Sequence, residues 1–127
     1  MAAENIRVGR VSSIDYNKGM IKVVYADKDN AVTKDLPFLS MNGEYKMPNI
    51  GDMVLVLHLS NGASMGIIVG TFWSNSNKPA ETGKGVYRKE LGMLPGEAYL
   101  RYDSNTKELT IKADTVKVQT NLNTTIM

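Results

Sequence analysis

An all-β chain in two unlike parts is what this sequence predicts, and three observations predict it. Apolar residues alternate over short runs rather than recurring at helical spacing, pairs rich in Gly, Asn and Asp punctuate those runs, and after one polar stretch the alternation resumes and persists to the last residues. The centre of the first part is Gly51 to Phe72. There two apolar runs, Met53 to Leu59 and Met65 to Phe72, flank a polar segment containing Asn61-Gly62. Asn and Gly both tolerate the positive φ of a tight hairpin turn, and the runs are short and rich in Val and Ile, so two paired strands are expected. Val54 and Val56 lie on one side of the first run, and Met53, Leu55 and Leu57 on the other, which predicts a strand covered on both faces.

Before this hairpin the chain reads as a meander. Ile6 to Ile14 is a strand with a bend or bulge expected at Gly9-Arg10. Tyr16 to Gly19 is a turn, Met20 to Ala26 a strand, Asp27 to Asn30 a turn and Ala31 to Leu36 a strand, closed by Pro37, which has no N–H to give a ladder. Ser40 to Gly43 is a turn within an irregular connection. Five strands, three before that connection and two after it, match an OB-type barrel in residues 1–75; the count alone leaves an SH3-like barrel open. Residues 76–90, rich in Ser, Asn, Lys, Pro, Thr and Gly, are expected to form a linker.

Residues 91–127 return to strands. Ala98 to Tyr102 and Lys107 to Ala113 flank a turn at Asp103 to Asn105, and after Asp114-Thr115 the alternation runs on Val116, Val118, Thr120, Leu122, Thr124 and Ile126. So short a segment cannot bury its own apolar edge, because isolated hairpins are marginal in water. Association or repetition must supply the missing surface. The residues expected in a core shared between chains are Leu109, Ile111, Val116, Val118, Leu122 and Ile126, with Thr110, Lys112, Lys117 and Gln119 facing solvent. Association is thereby assigned to the part beyond the linker, and the first part is expected to be largely monomeric by itself.

Composition narrows the function classes. The chain has 127 residues and no cysteine, which excludes disulfides and thiolate metal sites. No run of about 18 apolar residues predicts a membrane-spanning helix, and the first residues do not predict a secretory leader. Of the +2 net charge, residues 1–75 contribute nothing, with seven Lys/Arg against seven Asp/Glu, and the excess falls in residues 76–90. Neither flanking part has the clustered cations that nucleic-acid binding uses. His58 is the single histidine, too few for a metal site, and is expected to be structural or at the surface. Gly83-Lys84-Gly85 lacks the spacing of a phosphate loop. Asp27, Asp29 and Asp35 read as solvated turn residues rather than cation ligands. Phe72-Trp73 is expected to plug the end of the barrel or pack on a neighbouring subunit, and Met20, Met53 and Met65 to fill the core. No catalytic, cofactor or metal residues are readable, so the expected protein is not an enzyme.

In order and spacing, Gly9-Arg10-Val11, Val23-Val24, Thr33-Lys34-Asp35-Leu36-Pro37, Met47-Pro48, Gly51 to Leu57 and Gly66-Ile67-Ile68-Val69-Gly70 resemble the OB domain of baseplate spike proteins. These are the tail-puncture, or baseplate assembly V, proteins of contractile phage tails and phage-like injection machines. Gly96 to Asp103 followed by Glu108 to Ala113 is similar to the start of that family's trimeric β-helical needle. The resemblance implies a homotrimer, an OB-type barrel followed by an elongated, intertwined β-helix or β-prism, in the central spike of a virion baseplate. Such a protein is made in the bacterial cytoplasm, docks on tail-hub and baseplate proteins and is directed at the target cell envelope. Residues 75–95 leave no room for the lysozyme domain that some relatives insert. The His-X-His apex that binds iron in many relatives is missing, which implies a separate tip protein, a blunt tip or a needle that continues. The reading from another class is an OB-fold nucleic-acid-binding protein, against which the balanced charge of residues 1–75 counts.

Overall fold

A computed structural model describes residues 5–59, 65–122 and 125–126. Apart from one 3₁₀ turn at Ala26–Lys28, the ordered elements among the described residues are β-strands, all paired antiparallel. The chain divides into two compact units, Met1–Asn77 and Lys78–Met127.

The first unit contains β1 (Ile6–Asp15), β2 (Met20–Tyr25), β3 (Ala31–Val32), β4 (Leu36–Pro37), β5 (Met53–His58) and β6 (Gly66–Thr71). Their order is β3-β2-β1-β5-β6, with β4 also paired to β2. Beyond β4, Phe38 bridges Ile68 in parallel and the Leu39 N–H donates to the Ile68 carbonyl at 2.9 Å. The segment from Leu36 to Leu39 therefore bonds to β2 on one side and to β6 on the other. Period-two alternation turns Val11, Ile21, Val23, Tyr25, Leu36, Val54, Val56 and Ile68 into one buried cluster, with Ile14, Phe38 and Met47 packed against it.

Several local expectations are corrected here. The bulge of β1 lies between Val11 and Ser13, not at Gly9-Arg10. Gly9 serves close approach instead: a Cβ there would run into Val23 Cγ1 and would lie 2.8 Å from the Tyr25 ring. The third strand is interrupted at Thr33. Its hydroxyl accepts the Val23 N–H at 3.0 Å while its own N–H donates to the Val23 carbonyl at 2.8 Å, so a side chain replaces one rung of the ladder. β5 is covered on one face only: Val54, Val56 and His58 are buried, whereas Leu55 is half-buried and Leu57 exposed. Met65 and Trp73 are exposed rather than core or plug, and Phe72 is 37% exposed. The Asn61-Gly62 turn lies outside the described residues, but the Leu59 N–H donates to the Met65 carbonyl across the neck of that hairpin at 3.0 Å.

The second unit contains β7 (Val86–Glu90), β8 (Tyr99–Asp103), β9 (Glu108–Lys112), β10 (Val118–Gln119) and β11 (Thr125–Ile126). β7, β8 and β9 form a three-stranded meander, and β10 pairs with β11. Residues 86–90, expected as linker, are thus a strand, paired with β8 along its whole length. The alternation after Val116 is not one continuous strand. β10 is paired back onto β11, Val118 opposite Ile126, and the Leu122 N–H donates to Thr120 Oγ1 at 3.2 Å in the reversal. Thr124 lies outside the described residues. Every buried residue among those described falls between Gly9 and Ile68, and the second unit has none.

Candidate functional site: a sheet with two unlike faces

Cross-strand register assigns each side chain of the β7-β8-β9 sheet to a face. Arg88 sits opposite Arg101, and Arg101 opposite Thr110; on the other side of the pleat Tyr87, Tyr102 and Leu109 form one row and Lys89, Leu100 and Ile111 the next.

The first face is polar and internally paired. Two arginines directly opposite each other repel, and Glu81, from the segment before β7, resolves that repulsion. Its carboxylate accepts from Arg101 Nε at 2.8 and 2.9 Å and from Arg101 Nη2 at 2.6 Å, and from Arg88 Nη1 at 3.2 Å. Arg88 Nε also donates to Glu90 at 2.5 Å, and Arg101 reaches Asp103 at 3.5 Å. The Arg88 guanidinium lies 3.8 Å above the Tyr99 ring, while Lys112 donates to the Gly96 carbonyl at 2.9 Å. Hydrogen bonds from Arg101, and then from Arg88, hold the Glu81 carboxyl down to about 2 against the opposing effect of burial. The Arg101 guanidinium is raised by the same Glu81 bond, and Arg88 chiefly by Glu90.

A carboxyl whose folded value lies below its ordinary 4.5 contributes stability that is complete above that value and lost as the pH falls from there through about 2. The thermal midpoint of the second unit is therefore expected to fall between about pH 4.5 and 2. Glu81→Gln should lower the midpoint at neutral pH and flatten that acid limb. Unfolding followed by circular dichroism across pH checks both, and an acid limb of unchanged slope in Glu81→Gln would remove Glu81 as its source.

The second face is apolar and uncovered within its unit. Leu109 is 60% exposed and Ile111 53%, with exposed Tyr87 and Tyr102 beside them and Leu100 half-buried. Of the six residues expected in a shared core, the structure brings Leu109 and Ile111 together on this face. Val116, Val118 and Leu122 follow in the chain and are exposed, while the Ile126 side chain lies outside the described residues. Thr110 and Lys112, expected in solvent, share the polar face; Thr110 is half-buried and the Lys112 ammonium lies 5.6 Å from the Tyr99 ring. Tyr87, Leu100 and Tyr102 are additions that sequence reading missed. The alternation of β8 signalled the last two, and the linker assignment hid the first.

In the first unit the unanticipated feature is His58. It is buried, and its Nε2 lies 2.6 Å from the Tyr25 hydroxyl while Nδ1 lies 3.3 Å from the Met65 carbonyl. With Nδ1–H donating to that carbonyl, Nε2 accepts from the Tyr25 O–H, and both ring nitrogens are satisfied. Burial raises the Tyr25 phenol, whose ring carries the Arg7 guanidinium at 3.8 Å; Arg7 in turn pairs with Asp27 at 3.1 Å. This cluster locks β2 to β5 and needs no ligand to account for it. No group of three or more His, Asp and Glu able to hold a metal ion occurs among the described residues.

Compared with known proteins, the chain matches no family model and no curated protein. The second sheet thus has one face tied together by its own ion pairs and another that is largely apolar and exposed, with Lys89 at its margin.

Proposed function

We propose that this protein is a structural, non-enzymatic spike: an OB-type barrel followed by a trimeric β-helical needle in the baseplate of a contractile tail or phage-like particle. It docks there on hub proteins and helps to pierce a cell envelope. The observation that carries the reading is a second unit without a single buried residue among those described. A segment of about 50 residues needs burial, disulfides or partners to hold one conformation. This chain has no cysteine, and its sheet offers an apolar face built from Tyr87, Tyr102, Leu109 and Ile111. Copies of the chain facing one another around an axis supply that cover, with Val116, Val118, Leu122 and Ile126 extending the contact. Closure of the first unit as a barrel is supported by the segment Leu36–Leu39, which bonds to both β2 and β6.

The test is the mass of the purified chain in solution. Light scattering at micromolar concentration is expected to give three times the chain mass, unchanged on tenfold dilution. A monomeric mass would overturn the proposal, since a lone chain leaves the second unit without a core.

A further inference from the structure

A cleft of about 300 Å³ lies in the first unit, where the turn between β1 and β2, the end of β4 and the connection to β5 meet. Pro37, Phe38 and Met47 give it an apolar lining, and Phe38 and Met47 also pack on the buried core. Lys18 from the turn and Lys46 from the connection belong to the same lining, and Glu44 contributes one carboxylate. Neither lysine has an ion-pair partner among the described residues. The segments around the cleft are braced. The Phe38 N–H donates to the Gly19 carbonyl at 3.0 Å and the Tyr45 hydroxyl to the Tyr16 carbonyl at 3.1 Å, so both are tied to the same turn. Between them Met41, Asn42 and Gly43 stand in succession at φ 49°, 61° and 102°, closed by the Glu44 N–H donating to the Ser40 carbonyl at 2.7 Å. Two residues with a Cβ are thus held in the left-handed region, a strain that persists only where the surrounding structure imposes it and that gathers at ligand sites.

We propose that this cleft binds a small organic monoanion, a carboxylate on a compact apolar body. Three features select that class. The volume stands at the lower end of the range for ligand pockets, about 300–1,000 Å³, which suits a single substituted ring rather than a nucleotide or a drug-sized molecule. Two ammonium groups against one carboxylate leave one net positive charge in the lining, and one negative charge matches it. An ammonium is a compact point charge with three rotatable donors, so it takes a carboxylate oxygen without the fork geometry that an arginine imposes. The ring of such a ligand would in turn cover Pro37, Phe38 and Met47 and remove their apolar surface from water. The site lies wholly within the first unit, and the proposal holds or fails whether or not copies of the chain associate.

Benzoate and benzamide, which share a shape and differ in charge, test the proposal on the full-length protein carrying 13C at its methionine methyls. Met47 reports from the cleft, and its resonance is assigned by its loss in Met47→Leu. A ligand of about nine heavy atoms is expected to bind with a Kd of about 1 mM. Benzoate should shift the Met47 methyl saturably in that range, and benzamide should bind at least fivefold more weakly. Lys18→Gln and Lys46→Gln together should abolish the preference for benzoate. Both lysines are exposed, and unchanged resonances of Met20 in β2 and Met53 in β5 show that the double variant keeps the fold. Absence of a saturable shift at roughly tenfold above the expected Kd, or equal binding of the two compounds, overturns the proposal. So does a preference for benzoate that survives in the double variant. None of these results changes the solution mass on which the spike reading rests.

Discussion

On the proposed three-chain assembly, replacing Ile111 with Asp is expected to leave only monomers at micromolar concentration. Ile111 stands in the apolar face of the second sheet, in the row with Leu100 and next to Leu109. In a three-chain assembly one substitution brings three carboxylates to the same layer. Burying even one unpaired charge costs on the order of several kcal/mol, and each 1.4 kcal/mol or so is a factor of ten in the association constant. Lys117→Asp, at an exposed position of the same unit, should stay within about 0.5 kcal/mol of the parent. Solution mass and thermal midpoint, measured side by side, check the pair. Equal tolerance of both substitutions would mean that the face of Leu109 and Ile111 is not the contact.

The second large effect belongs to the first unit. Gly9→Ala is expected to destabilise it by about 1–3 kcal/mol, the ordinary cost of forcing extra volume into a packed core. The added Cβ would meet the Val23 side chain and would come within 2.8 Å of Tyr25 Cε1. Tyr25 has little freedom to move, because its hydroxyl is bonded to His58 and its ring lies beneath Arg7. Ser13→Ala, at an exposed position of the same strand, should be nearly silent. Denaturant midpoints of the two variants decide; if Gly9→Ala is silent too, β1 does not approach β2 as closely as described.

Strands β1, β2, β5 and β6 were legible because local alternation agrees with their final pairing, whereas the strand expected over Ala31 to Leu36 is split at Thr33. What was not legible depended on partners distant in sequence. His58 read as a surface or structural residue because nothing near it announces Tyr25, 33 residues away. Leu55 and Leu57 made β5 look doubly covered, since alternation reports which side chains are apolar but not what, if anything, lies over them. Val86 to Glu90 read as linker because Arg88, Lys89 and Glu90 look solvated until Glu81 is seen to bind Arg88 and Arg101 together. Val118 and Ile126 kept perfect alternation through a chain reversal, and period two cannot tell a long strand from a short hairpin. The apolar stripe of residues 109–126 was visible in sequence, but its companions Tyr87 and Tyr102 required the register of β7 on β8.

The second unit, with no buried residue among those described, also bears on the order and the rate law of folding. The first unit holds its own core, so its collapse is first order and indifferent to protein concentration. It also leaves the ribosome first, and N-terminal units generally fold as they emerge. On the proposed assembly the second unit gains its core only when copies meet, so its ordering is an encounter-limited step whose rate climbs with concentration. Refolding from denaturant should therefore show two phases, a fast one that dilution leaves unchanged and a slow one that dilution delays. During that delay the chain carries uncovered strands beside a finished first unit, and this is the interval in which mispairing between copies competes with correct assembly.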